Sequence, residues 1–194
     1  MSASNLGKFT IHGNEAALCI VDFQERLATA MPEALRLACE RNIVLLLEVA
    51  QRQGWPVLVT EQYPKGLGGT VPTLQRALGA RSNGVFHLEK LHFSASSAPG
   101  FDELFAQIAR RQWVVTGMET HVCVYQTVRG LLERGVSVHV PEDTVVSRAG
   151  ANRARGLTLM ESMGAVVTCT ETVLFDALHV AGTDDFKALS KQLR

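Results

Sequence analysis

Apolar positions along the chain follow two alternating rhythms. Residues 16–21, Ala-Ala-Leu-Cys-Ile-Val, are apolar without a break and stop at Asp22, as expected of a strand buried on both faces of a parallel sheet. Residues 32–53 then space Leu35, Ala38, Cys39, Ile43, Leu46, Leu47 and Ala50 as a helix does, with Gly54 as the stop. Further apolar runs at 56–60, 85–88, 113–117, 136–140 and 165–168 predict five more strands. Helical patterns at 101–111, 121–134 and 151–163 alternate with them, and 184–192 predicts a closing helix. Residues 61–73, rich in Gly and Pro, read as a loop. Six strands alternating with helices, and no long polar linker, predict an α/β fold with a six-stranded parallel sheet covered on both faces.

Composition narrows the functional classes. The 194 residues match the size of one domain. With 46% hydrophobic and 20% charged residues, the chain has ample material for a core, which argues against disorder. Nineteen Lys and Arg balance nineteen Asp and Glu, leaving no basic excess to neutralise phosphates, so no nucleic-acid partner is expected. No apolar run approaches a membrane span, and the N-terminal residues lack a secretory or import pattern, so the expected location is the cytoplasm. The four cysteines, Cys19, Cys39, Cys123 and Cys169, form no C-x-x-C pair and suggest neither a zinc site nor a disulfide framework.

Ligands of open parallel sheets bind at the carboxyl ends of the strands. That rule selects Asp22, Gln62 and Tyr63, Lys90 and Phe93, and residues 117–123. Asp22 ends an apolar strand, where it either bonds loop amides or acts as a general acid/base tuned by burial. Lys90 is either a solvated loop lysine or a charge beside Asp22, whereas its neighbour Glu89 points the other way. Cys123 lies in the first turn of a predicted helix, reached through a tight link from a strand. Backbone N–H groups and the helix dipole there favour a thiolate, and a nearby Lys90 would favour it further. Cys19, Cys39 and Cys169 read as small hydrophobes. His121 is two residues from Cys123 and points elsewhere, while His87 and His92 flank Lys90. Residues 60–66 offer no His or Asp, and Gly66-Leu67-Gly68-Gly69 lacks the spacing of a nucleotide cradle, so neither a metal nor a cofactor is expected.

These residues resemble the isochorismatase-like cysteine hydrolases, a superfamily that includes nicotinamidases and N-carbamoylsarcosine amidases. The resemblance rests on Cys19-Ile20-Val21-Asp22-Phe23-Gln24, on Lys90, and on the segment from Val115 to Val124 that contains Gly117-Met118-Glu119-Thr120-His121-Val122-Cys123. The segments Asp143 to Arg148 and Thr170 to Phe175 extend it over nearly the whole chain, and the "isochorismatase domain-containing" branch is the most similar. The resemblance implies one Rossmann-like, three-layer α/β/α hydrolase domain over residues 1–194. It implies a Cys123–Asp22–Lys90 triad, an oxyanion hole formed by the amides of Glu119 and Cys123, and a cis peptide between Met118 and Glu119. Phe23, Gln24, Gln62, Tyr63, Phe93 and Thr120, with Tyr125 nearby, are the expected substrate contacts. The implied reaction is hydrolysis of a small amide-type C–N bond through a thioester, without a cofactor, in a homo-oligomer. Two alternatives stay open: hydrolysis of an isochorismate-like vinyl ether, and a catalytically idle domain that binds or oligomerises. Residues 61–66 lack the metal-site pattern of nicotinamidases, which disfavours nicotinamide as substrate.

Overall fold

The computed structural model describes residues 3–81 and 84–193. The first two residues of the N-terminal segment weighed for targeting lie outside them. The first strand, β1 (Ala16–Val21), forms where the apolar run predicts it. It is followed by a short turn of helix α1 (Glu25–Ala28) and the long helix α2 (Glu33–Arg52). Next come β2 (Val57–Gln62), the single-turn helix α3 (Pro64–Leu67), α4 (Pro72–Gly79) and β3 (Val85–Lys90). The second half runs through α5 (Phe101–Ile108), β4 (Gln112–Met118), a π-helical turn (Thr120–Val124), α6 (Tyr125–Glu133) and β5 (Ser137–Pro141). It ends with β6 (Val145–Val146), α7 (Gly150–Ser162), β7 (Val166–Thr168), α8 (Thr170–Leu178) and α9 (Asp184–Ser190).

The strands pair in the order β3-β2-β1-β4-β5-β7, all parallel. Two-residue β6 takes over the far end of β4 where β5 diverges. The side chains of β1 alternate between two cores. Ala16, Leu18 and Ile20 face the layer of α2, α4, α8 and α9, while Ala17, Cys19 and Val21 face the layer of α5, α6 and α7. The predicted sheet covered on both faces is thus present. It carries one strand more than expected, because Val145–Val146 is too short to register as an apolar run. Residues 61–73 are not simply a loop: β2 runs on to Gln62, and α3 and α4 begin at prolines, which suit a first helical turn. Helix α8 begins in the segment Thr170 to Phe175, where the apolar pattern predicts no element.

The order of strands reverses between β1 and β4. From β1 the chain moves outward to β2 and β3, then returns to β4 on the other side of β1 and moves outward again. The crevice at the carboxyl ends of β1 and β4 is the topological switch point, where such sheets bind ligands. Gly117 makes that crevice possible. It has φ 129°, and a Cβ there would lie 2.0 Å from the Val21 carbonyl oxygen. The Met118–Glu119 peptide that follows is cis.

One histidine belongs to the core. His139 on β5 is fully enclosed, and its Nε2 has no partner among the described residues. Burial pushes its pKa down to about 4 from 6.5. Between those values the unfolded chain binds the proton and the folded one does not, so stability present above pH 6.5 is lost as pH falls towards 4. At about 1.4 kcal/mol per unit this amounts to roughly 3 kcal/mol. Urea midpoints measured from pH 7 to pH 4 should show this loss, and His139→Leu should flatten the slope in that window.

Candidate active site

Asp22 leaves β1 with φ 49° and turns its side chain into the interior, where it is fully buried. Thr60 Oγ1 donates to Asp22 Oδ1 at 2.6 Å, and Lys90 Nζ donates to Asp22 Oδ2 at 2.6 Å. The sheet register explains both contacts: Thr60 pairs with Val21 across β1 and β2, and Lys90 pairs with Gln62 across β2 and β3. Glu89, alternating with Lys90 on the same strand, is exposed, as expected. Lys90 Nζ also reaches Gln62 Oε1 at 3.0 Å, the Phe93 carbonyl at 3.1 Å and the His92 carbonyl at 3.2 Å. Every proton of the buried ammonium therefore has an acceptor, the condition for keeping such an ion pair out of water.

Cys123 lies across the switch point in the turn after β4, with its thiol 3.7 Å from Gln62 Oε1. Two parts of the thiolate expectation need correction. Cys123 sits in a π-helical turn and not in the first turn of an α-helix. Burial pushes the thiol well above its ordinary range, the Asp22 carboxylate pushes it further, and Lys90 only opposes them. Gln62, expected to touch substrate, is a bridge: its Oε1 faces both Lys90 and Cys123, and its Nε2 donates to the Leu91 carbonyl at 2.8 Å.

Three other expected substrate contacts are enclosed. Phe23 is fully buried in the core on the α2 side. Gln24 is buried and spent on the chain itself, donating to the carbonyls of Gln62 at 3.0 Å and Gly68 at 2.7 Å while accepting from the Gln62 amide at 2.7 Å. Thr120 has no exposure, because Gly156 of α7 lets that helix press on the turn; a Cβ on Gly156 would lie 2.9 Å from the Thr120 oxygen. Tyr63 and Phe93 are exposed, with Leu91 beside them. A cavity of about 460 Å³ opens there, lined by Tyr63, Leu91, His92 and Lys90 among others. Tyr125 is half-buried at the head of α6.

Sequence reasoning missed two sets of residues. Thr60 reads as an ordinary β-branched strand residue, and only the strand register reveals that it faces Asp22. Around Glu119, the nearly buried carboxylate accepts from Arg148 Nε, and His121 Nδ1 lies 3.5 Å away. Ser147 Oγ accepts from the Thr120 amide at 3.0 Å and lies 3.1 Å from His121 Nδ1. The two late sequence blocks meet structurally: Asp143 Oδ1 accepts from both the amide and the hydroxyl of Thr170 at 2.9 Å, which caps α8. Among the described residues, no three His, Cys, Asp or Glu side chains converge to hold a metal ion, and no helix is long and apolar enough to cross a membrane.

Residues 16–172 match the model of the isochorismatase domain. Isochorismatase domain-containing protein 2 of Xenopus laevis is 33% identical over 98% of this chain and 88% of its own length. A structure described as the MAR1 ribonuclease of Caenorhabditis elegans superposes with a TM-score of 0.85 at 32% identity, covering 95% of this chain and 92% of that one. The Escherichia coli YcaC gene product, described as an octameric hydrolase of unknown specificity, shares the fold with a TM-score of 0.84 at 20% identity, over 94% of this chain and 90% of that one. With the domain match over residues 16–172 and these identities, this chain belongs to the isochorismatase-like hydrolase family.

Proposed function

We propose that the protein hydrolyses a small amide-type substrate by covalent catalysis from Cys123, with Asp22 as its proton acceptor and Lys90 as the buried partner that positions Asp22. One observation carries this reading. A fully buried carboxylate, fixed by Thr60 and Lys90, faces a buried thiol across the switch point of the sheet. A charge is kept in so dry a place only when other groups hold it there, and active sites are where such arrangements recur.

The steps follow from these roles. The proton of Cys123 passes to Asp22 as the sulfur attacks the carbonyl carbon, so the thiolate exists only during attack. The oxyanion is received by the amides of Glu119 and Cys123. Among the described residues neither amide has a hydrogen-bond partner outside its own turn, which supports that role; one such donor is worth about 3–4 kcal/mol at the transition state. The C–N bond breaks, Asp22 returns the proton to the departing nitrogen, and a Cys123 thioester remains. Water then attacks the thioester with Asp22 taking its proton, the acid departs, and that proton restores the thiol. Tyr63 and Phe93 shape the apolar side of the entrance. We infer a single domain over residues 1–194 that self-associates, a reading supported by the exposed Leu159 on α7 and the exposed Tyr63.

The test is a panel of small primary amides, N-carbamoyl compounds and vinyl ethers, with intact-mass detection of a Cys123 adduct. Amine release with an acyl adduct on Cys123, both lost in Cys123→Ala, is the expected result. Turnover that survives Cys123→Ala overturns the reading. Because the Caenorhabditis elegans neighbour is described as a ribonuclease, single-stranded RNA belongs in the panel; the balanced charge of this chain weighs against it.

A further inference from the structure

The sheet has a second edge where polar side chains gather. At the amino ends of β2, β3 and β4, opposite the crevice that holds Cys123, the links α2–β2, α4–β3 and α5–β4 converge. A cavity of about 250 Å³ lies between them, lined by Gln51, Trp55, Arg81, Gln107 and Arg110 among others. Trp55 is 1% exposed, and its indole Nε1 meets no acceptor among the described residues. The Nε atoms of Arg81 and Arg110 are buried and unmet in the same way. Buried donors are almost always paired, so three of them on residues around one cavity require an acceptor.

The charges point the same way. Arg36, Arg134 and Arg153 each pair with a carboxylate. Half-buried Arg81 instead gives its Nη1 to the Leu47 carbonyl at 3.0 Å and its Nη2 to the Trp55 carbonyl at 2.8 Å. These bonds pin the guanidinium and leave its charge without a counter-ion, although burial works against that charge. Half-buried Arg110 has only the neighbouring Ala109 carbonyl, 3.5 Å from Nη1. No Asp or Glu of the described residues lines the cavity, and Ser82 and Asn83, which follow Arg81 in sequence, carry no charge. The carboxyl ends of α2 and α5 lie at this edge, each equivalent to about half a negative charge. Two guanidiniums exceed them by about one positive charge. At about 30 Å³ per water the cavity holds more than a single bridging water, and it is smaller than the roughly 300 Å³ at which drug-sized pockets begin. The ligand that suits it is small, negative and rich in acceptors.

We propose that this amino edge of the sheet is a second binding site, which takes a small oxyanion, a phosphate or carboxylate group, on the guanidiniums of Arg81 and Arg110 and the indole of Trp55. Charged oxygens are the acceptors that guanidinium donors bind most strongly. The site is independent of the chemistry at Cys123. An anion held there ties together the entries to β2 and β3, the strands that carry Gln62 and Lys90 at their other ends.

The indole signals test it. Trp55 and Trp113 are the two tryptophans of the chain, and proton–nitrogen NMR follows both N–H groups while sodium phosphate or sodium acetate is added at constant ionic strength. Trp55→Phe assigns the signals. Trp113 Nε1 already donates to the Arg110 carbonyl at 3.2 Å and serves as the reference. The expected result is a saturable shift at Trp55, larger than at Trp113, and the anion that saturates at the lower concentration identifies the group. Arg110→Gln should weaken that binding about tenfold, the loss of one charge-assisted hydrogen bond, and Arg110→Lys should restore part of it. A Trp55 signal that neither anion moves to saturation overturns the inference, with ordered water then the acceptor, and this outcome is read on the wild type alone. Equal affinity in the wild type and Arg110→Gln overturns it too.

Discussion

Asp22→Asn is expected to speed alkylation of Cys123 while it slows turnover. The two effects have opposite signs because Asp22 acts on the thiol in two ways. As a fixed negative charge it holds the Cys123 proton on, adding to the effect of burial, while Lys90 opposes it. Removing that charge leaves Lys90 opposed only by burial and Glu119, so the thiol's pKa falls and the thiolate fraction at pH 7 rises by about tenfold for each pKa unit lost. As the proton acceptor and donor of the reaction, however, Asp22 has no substitute in an amide side chain. Turnover should fall by about 10²–10⁴. Iodoacetamide labelling of Cys123 and amine release, measured on one preparation, separate the roles. A variant that loses both together would mean that Asp22 only supports the fold, and the proposed chemistry would be withdrawn.

Lys90→Met should be the most destabilising single change at the site. It leaves the Asp22 carboxylate buried with the Thr60 hydroxyl and the Cys123 thiol as neighbours but no cation. Breaking a buried pair from one side costs about 3–5 kcal/mol, because the orphaned charge keeps its desolvation penalty. For a chain of this length that is a fall in Tm on the order of 10 °C. Asp22→Asn combined with Lys90→Met should recover much of the lost stability, since the double variant buries no charge, and should remain inactive. Thermal melts of the two single variants and the double variant form the cycle. A double variant no more stable than Lys90→Met would show that the pair is not the source of the loss.

Most of the sheet was legible because its strands carry strong one-dimensional signals. β1 has six apolar residues in succession and ends on a charge, and no packing preference competes with that pattern. The strand-end rule then placed Asp22, Lys90 and Cys123 on one edge, where the structure brings Asp22 into contact with Lys90 and both into electrostatic reach of Cys123. What escaped was information that lives in register. Thr60 matters through its position opposite Val21, and nothing in its own neighbourhood marks it. Gln24 looked like a ligand contact from its place in a motif, but its amide is used to clamp the loop after β2. The environment of the Cys123 thiol escaped for a related reason. Proximity to Lys90 could be inferred from order along the chain, whereas the depth of burial could not, and burial is the largest influence on that thiol.

The place of Lys90 on β3 has a further consequence. β3 is the last strand of one side of the sheet and is only partly covered. Fluctuations that open a protein without unfolding it begin at such margins, where few contacts must be given up. Separation of β3 from β2 would carry Lys90 away from Asp22 while β1, β4, β5 and β7 stay paired. The proposed chemistry therefore depends on an edge strand of an otherwise well-buried sheet, so local opening of that margin would interrupt turnover without unfolding the chain.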